Sequence, residues 1–98
     1  MNSYFFLFEV EPQFGNLVGA HASRAIVRVW VLSTDMEEAR VAVLRFFKAN
    51  LWEVKEEKES FLATPEQVDG LDAEAASSYR KAQAEGIDAT FNYWHRSE

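Results

Sequence analysis

Residues 25 to 57 constrain the fold more than any other stretch of this chain. Ala25, Val27, Val29 and Val31 alternate with Ile26, Arg28, Trp30 and Leu32, the period of two that sends successive side chains to opposite faces of a strand. At Ser33-Thr34-Asp35 the period changes. Thr34-Asp35-Met36-Glu37 has the form of a capping box, in which the Thr hydroxyl and the Glu carboxylate each satisfy an orphan amide of the first helical turn. A helix from about Asp35 to Ala49 is predicted. Met36, Ala39, Ala42, Val43, Phe46 and Phe47 fall on one apolar face of it, with Glu37, Glu38, Arg45 and Lys48 opposite. Val43 and Phe46 mark the centre of that stripe. Leu51-Trp52-Glu53-Val54 then opens another strand, so the segment reads as strand, capped helix, strand, the skeleton of a small α+β domain.

The flanking sequence completes the pattern. Tyr4, Phe6, Phe8 and Val10 alternate with Phe5 and Leu7, which makes residues 3 to 10 a strand apolar on both faces, covered on both or placed at an interface. Pro12, Gly15 and Gly19 mark a long loop before the second strand. After Val54 the run Glu56-Glu57-Lys58-Glu59 alternates poorly and has the charge of a protected sheet edge. Thr64-Pro65-Glu66-Gln67 is a second capping signature, starting a short turn that ends near Gly70. Asp72 caps a further helix, Ala73 to Glu85, which Gly86 ends. Ala75, Tyr79 and Ala82 form its narrow apolar stripe. A last strand runs from Ile87 to about Trp94. The order is β-β-α-β-α-β. The expected architecture is a two-layer α+β sandwich, a four-stranded, largely antiparallel sheet with both main helices on one face.

At 98 residues the chain is sized for one domain over 1–98. Hydrophobic residues make up 48% and aromatics 14%, which excludes a disordered chain of low hydrophobicity and high charge. There is no cysteine, so no disulfide, thiolate metal site or cysteine nucleophile is available, and a bacterial-type cytoplasm is the expected setting. Met1 to Phe8 lack a basic flank and are interrupted by Glu9 and Glu11, so they read as a strand rather than a signal segment. No apolar run reaches the ~20 residues a membrane span needs. Residues 53 to 85 carry nine acids and four bases, most of the net charge of −6. That balance repels nucleic acid and suits a basic protein partner.

No glycine-rich phosphate loop, metal-spaced cluster or nucleophile with a sequence partner is present, and neither a cofactor nor a metal is expected. His21 and His95 are the two histidines; they serve either as an acid/base pair brought together by the fold or as two solvated polar residues, the reading adopted here. Arg28, Trp30, Phe91, Tyr93 and Trp94 form the more informative set. If their strands are neighbours, they gather on the sheet face away from the helices, where a flat ligand can stack or a second subunit can cover them.

The segment Val31-Leu32-Ser33-Thr34-Asp35-Met36-Glu37-Glu38-Ala39, with Leu51-Trp52-Glu53-Val54 after it, resembles those of short uncharacterised bacterial proteins of ferredoxin-like α+β type. The resemblance implies domains that pair through their sheets, and brings no activity. The strand pair at the start makes this chain a variant of the ferredoxin-like β-α-β-β-α-β order. The expected function is a non-enzymatic interaction or assembly module that forms a homodimer through the sheet face. A small-ligand binder or enzyme of dimeric α+β barrel type stands against it, as does an acidic immunity or inhibitor-type protein docking on a basic partner.

Overall fold

The computed structural model describes residues 1–95. Four strands, β1 (Asn2–Pro12), β2 (Ala22–Ser33), β3 (Trp52–Leu62) and β4 (Ile87–His95), form one sheet in the order β3-β1-β2-β4. Every neighbouring pair is antiparallel. The hairpin that comes first in sequence therefore occupies the middle, and the later strands are the two edges. Helix α1 (Met36–Ala49) links β2 to β3, and α2 (Pro65–Asp69) and α3 (Ala73–Glu85) link β3 to β4. No helix among the described residues is long and apolar enough to cross a membrane.

One face of the sheet is the core. Tyr4, Phe6, Phe8 and Val10 of β1 and Ala25, Val27, Val29 and Val31 of β2 are buried there against Ala39, Val43 and Phe47 of α1. Each fully buried side chain of Val or Phe size contributes about 1.5 to 3 kcal/mol relative to exposure. Phe47 is the hub: its ring meets Phe8 edge-on at 5.4 Å and Phe91 at 6.5 Å. The expected centre of the helix stripe thus moves by one residue. Val43 is fully buried as anticipated, whereas Phe46 is only partly buried and Ala42 is exposed.

The cap of α1 is also displaced. Asp35, not Thr34, is the N-cap, accepting the Glu38 amide at 2.8 Å, and the Thr34 hydroxyl donates instead to the Glu38 carboxylate. The second signature is as read: Thr64 accepts from the Gln67 amide, and the Gln67 side chain accepts from Thr64 N–H at 2.8 Å. Gly86 closes α3 in the left-handed conformation, φ +94°, which a residue without Cβ adopts at no steric cost.

The two main helices do not share a face. Strand parity puts Trp30 and Asp88 on the side opposite α1, and there Tyr79 of α3 meets Trp30 edge-on at 5.4 Å while Ser78 donates to Asp88. The sheet lies between α1 and α3, and the expected two-layer sandwich is not adopted. The reason is topological. The connection from β3 must cross from one edge of the sheet to the other, α1 already covers the core face, and the apolar residues Phe5, Leu7 and Trp30 on the second face need a cover.

The ends of the core are closed by pinned loops. A single 3-10 turn, Leu17–Ala20, follows Asn16, whose side-chain amide donates to the Leu51 carbonyl at 2.9 Å. Leu51 has φ +62°, a conformation that costs a non-glycine residue about 1 kcal/mol or more. It begins the turn into β3, so β3 starts at Trp52 rather than Leu51.

Candidate functional site

Two features of the second face and its border stand out: a cleft beside α3 and the free edge of β4. The second face is built by alternation. Phe5 and Leu7 of β1, Ile26, Arg28 and Trp30 of β2, and Thr90, Asn92 and Trp94 of β4 all point to it, because Arg28 pairs with Leu7 and Thr90, and Trp30 with Phe5 and Asp88. Helix α3 approaches closely through Ala75, Ser78 and Ala82, small residues that let the backbone come near the strands. It covers only the Trp30 end. Between α3 and the open part of the sheet lies a cleft of about 420 Å³.

The floor of the cleft is aromatic. The rings of Phe5 and Trp30 are 4.9 Å apart, and Phe5 stacks on Phe61 at 5.0 Å. Arg28, Thr90 and Asn92 form one wall, and Leu71, Glu74 and Ala75 form part of the other. Arg28 is exposed and has no hydrogen bond or ion pair among the described residues. The other cations on the strands are all engaged: Arg24 with Glu9, Lys55 with Glu11 and Glu53, Lys58 with Glu9 and Glu56.

The expected aromatic set is divided between faces. β2 and β4 are neighbours, as the reading required, and Arg28, Trp30 and Trp94 share the second face. Phe91 and Tyr93 have the opposite parity. They lie on the core side, where Trp52 of the far edge packs tilted against Phe91 at 5.2 Å and stacks on Tyr93 at 6.2 Å. Trp30 is 3% exposed and forms floor rather than surface, while Tyr93 and Trp94 are 40% and 44% exposed. Arg24 lies over the Trp94 ring at 4.9 Å. His21 and His95 come to the same end of the sheet, since Ala22 is the register partner of His95. Both are exposed, and no hydrogen bond joins them or links either to a carboxylate among the described residues. Among the described residues no group of three or more His, Cys, Asp or Glu side chains has the arrangement to hold a metal ion.

The two edges of the sheet differ in electrostatics. In β3 the register against β1 skips twice, between Leu7 and Phe8 and between Glu9 and Val10, leaving Lys58 and Lys55 as the extra residues. Glu57 binds Arg40 of α1 through both carboxylate oxygens, at 2.7 and 3.0 Å. That hydrogen bond holds the Glu57 carboxyl below the usual carboxylate range, against the opposing effect of burial, and raises Arg40. The hydrogen bond to Glu56 likewise raises Lys58. Glu53, Glu56 and Glu57 are thereby paired within the chain. β4 has one charged residue, Asp88, already hydrogen-bonded by Ser78, and its register with β2 is unbroken from Ile87 to Trp94.

Sequence reasoning did not place Phe61, Thr90 or Asn92 in a site. The alternation Phe61 belongs to is interrupted by the two skipped residues of β3, and the polar pair is marked only by its parity with Arg28. Compared with protein families, curated proteins and solved structures, the chain matches none.

Proposed function

We propose that this protein is a non-enzymatic interaction module that assembles as a homodimer by joining the β4 edges of two copies into one continuous sheet. The observation that carries this reading is the undefended edge of β4. An edge strand presents unpaired amides and carbonyls to any other strand, and proteins blunt such edges with charge, bulges or cover. β3 has both charge and bulges; β4 has a single charge, Asp88, which Ser78 engages on the α3 face, has no bulge between Ile87 and Trp94, and ends in half-exposed Tyr93 and Trp94. Antiparallel pairing of two β4 strands about Phe91 sets Phe91 beside its counterpart, Ala89 opposite Tyr93 and Thr90 opposite Asn92, and keeps the two Asp88 carboxylates at opposite ends. A two-fold arrangement of this kind closes on itself and leaves no further β4 edge to extend.

The test is to give β4 the character of β3. Wild type should sediment at twice the chain mass of 11.3 kDa, and Tyr93→Lys with Trp94→Lys should weaken the dimer at least about tenfold, equivalent to about 1.4 kcal/mol. Circular dichroism checks that the variant folds. A wild type that stays at one chain mass at high micromolar concentration, or a folded variant that dimerises as well as wild type, would overturn the proposal.

A further inference from the structure

We infer that the cleft between α3 and the sheet is a binding site for a small flat monocarboxylate, an aromatic or heteroaromatic acid. Its ring would lie on Phe5 and Phe61 with Trp30 beneath, and its carboxylate on Arg28, Thr90 and Asn92. This goes beyond assembly through β4 and does not depend on it.

Volume, floor, wall and charge lead to this ligand class in turn. The cleft, at about 420 Å³, falls in the range of about 300 to 1,000 Å³ typical of small-molecule sites, which combine apolar lining with a few convergent polar groups. Its floor is a set of rings at 4.9 to 5.0 Å spacing. A planar apolar body gains most by displacing water from such a surface.

The polar wall is specific. Arg28 sits directly across the β2–β4 ladder from Thr90, one alternate position from the Ile26–Asn92 pair. A guanidinium fork, a hydroxyl and a carboxamide therefore line one side. Among Arg24, Arg28, Lys55 and Lys58, the cations that the strands carry, Arg28 alone has no carboxylate partner. In a chain with a net charge of −6 and carboxylates along the neighbouring strands, an unpaired guanidinium beside an aromatic floor is a ready partner for a planar carboxylate, which it can engage through two parallel hydrogen bonds.

The opposite wall limits the charge of the ligand. Asp72, which accepts the Ala75 amide at 2.8 Å as the cap of α3, and Glu74 are both exposed and place two carboxylates on this side of the cleft. A second negative charge on the ligand would face Glu74 and the acidic field of the whole chain. The geometry thus favours a monoanion over a phosphate ester or dicarboxylate.

The test is an amide-resolved NMR titration of the full chain with indole-3-acetate, its neutral analogue indole-3-acetamide, and phenyl phosphate. The acid should bind with a dissociation constant of about 1 mM or tighter, as expected for a ligand of this size, with shifts at Phe5, Arg28, Phe61 and Thr90. The acetamide should bind about tenfold more weakly, and so should the phosphate. Arg28→Gln, at an exposed position, should bring the acid down to the acetamide. Ala75→Trp should fill the cleft and abolish both. If the tryptophan variant does not fold, the shift map and the glutamine variant decide the question. Absence of shifts up to about 10 mM acid, equal binding of acid and acetamide, tighter binding of the phosphate, or an Arg28→Gln variant that binds the acid as wild type does would each overturn the inference.

Discussion

β3 and β4 flank the same central hairpin and are exposed to solvent along one side in the same way, yet they are built to opposite rules. Along β3 two residues fall out of register, both are lysines, and each is held between carboxylates. Arg40 of α1 clamps Glu57 of the same strand from the core side. β4 runs in unbroken register from Ile87 to Trp94, carries a single charge and offers aromatic side chains to solvent. The difference shows that one border carries charge and bulges of the kind that discourage strand pairing, and that the other lacks the bulges and nearly all of the charge.

The edges are not independent, and the largest expected effect comes from the residue that couples them. Trp52, 6% exposed at the start of β3, packs against Phe91 and Tyr93 of β4. Trp52→Ala should cost about 3 to 5 kcal/mol in urea unfolding, as for other buried aromatic truncations, and should weaken β4-mediated association as well. An unfolding midpoint within error of wild type would show that the two borders are separate after all.

A second prediction removes the asymmetry. Replacing Lys55, Glu56, Lys58 and Glu59 together by Thr strips most of the charge from the β3 edge and leaves only its bulges to protect it. Alternating β4 and β3 contacts then make an open-ended array rather than a closed pair, and light scattering should report species larger than a dimer that grow with concentration. If the variant remains a dimer, the bulges alone protect β3.

The smallest effect is a pH dependence. Arg40 lowers the Glu57 carboxyl in the folded chain, so the pair stabilises the fold above the unfolded carboxylate value and that contribution is lost as pH falls through the lowered folded value. The side chains of both partners are about one-third exposed, which keeps the contribution below about 1 kcal/mol. The difference in denaturant midpoint between wild type and Glu57→Gln should therefore be small at pH 7 and vanish in acid. A difference that grows as pH falls would remove Glu57 from the defence of the β3 edge.

The element order was legible because each start signal is local: Asp35 or Thr34, Thr64, Asp72 and Gly86 act through neighbouring amides and need no tertiary context. The adjacency of β2 and β4 was only a condition in the sequence, since alternation marks a strand but not its neighbour, and the register supplies it. What escaped the sequence depended on phase or on non-local choice. The extra residues at Lys55 and Lys58 reset the alternation of β3 twice, so Glu56 to Glu59 alternate poorly in sequence; they are the charged sheet edge their composition suggests, and the strand continues beyond them to Leu62. Phe46 and Phe47 are adjacent on a helical wheel, and only the position of Phe8 and Phe91 decides that Phe47 points inward. Nothing local to α3 states which side of the sheet it will take; that is settled by α1 having covered the other side first. The candidate residues, by contrast, are divided by strand parity alone, Arg28, Trp30 and Trp94 on one face and Phe91 and Tyr93 on the other.

The position of the first hairpin at the centre of the sheet has a consequence for the order in which the chain acquires structure. β1 and β2 close through local contacts, so they can pair as soon as Ser33 is available, and β3 and β4 then add outward, each to a border that already exists. The expected growth is from middle to rim in step with synthesis, with the least protected border, β4, added last. Amide protons of β1 and β2 should accordingly exchange slowest, those of β3 next, and those of the outer half of β4 fastest, with dimer formation slowing exchange in β4 alone.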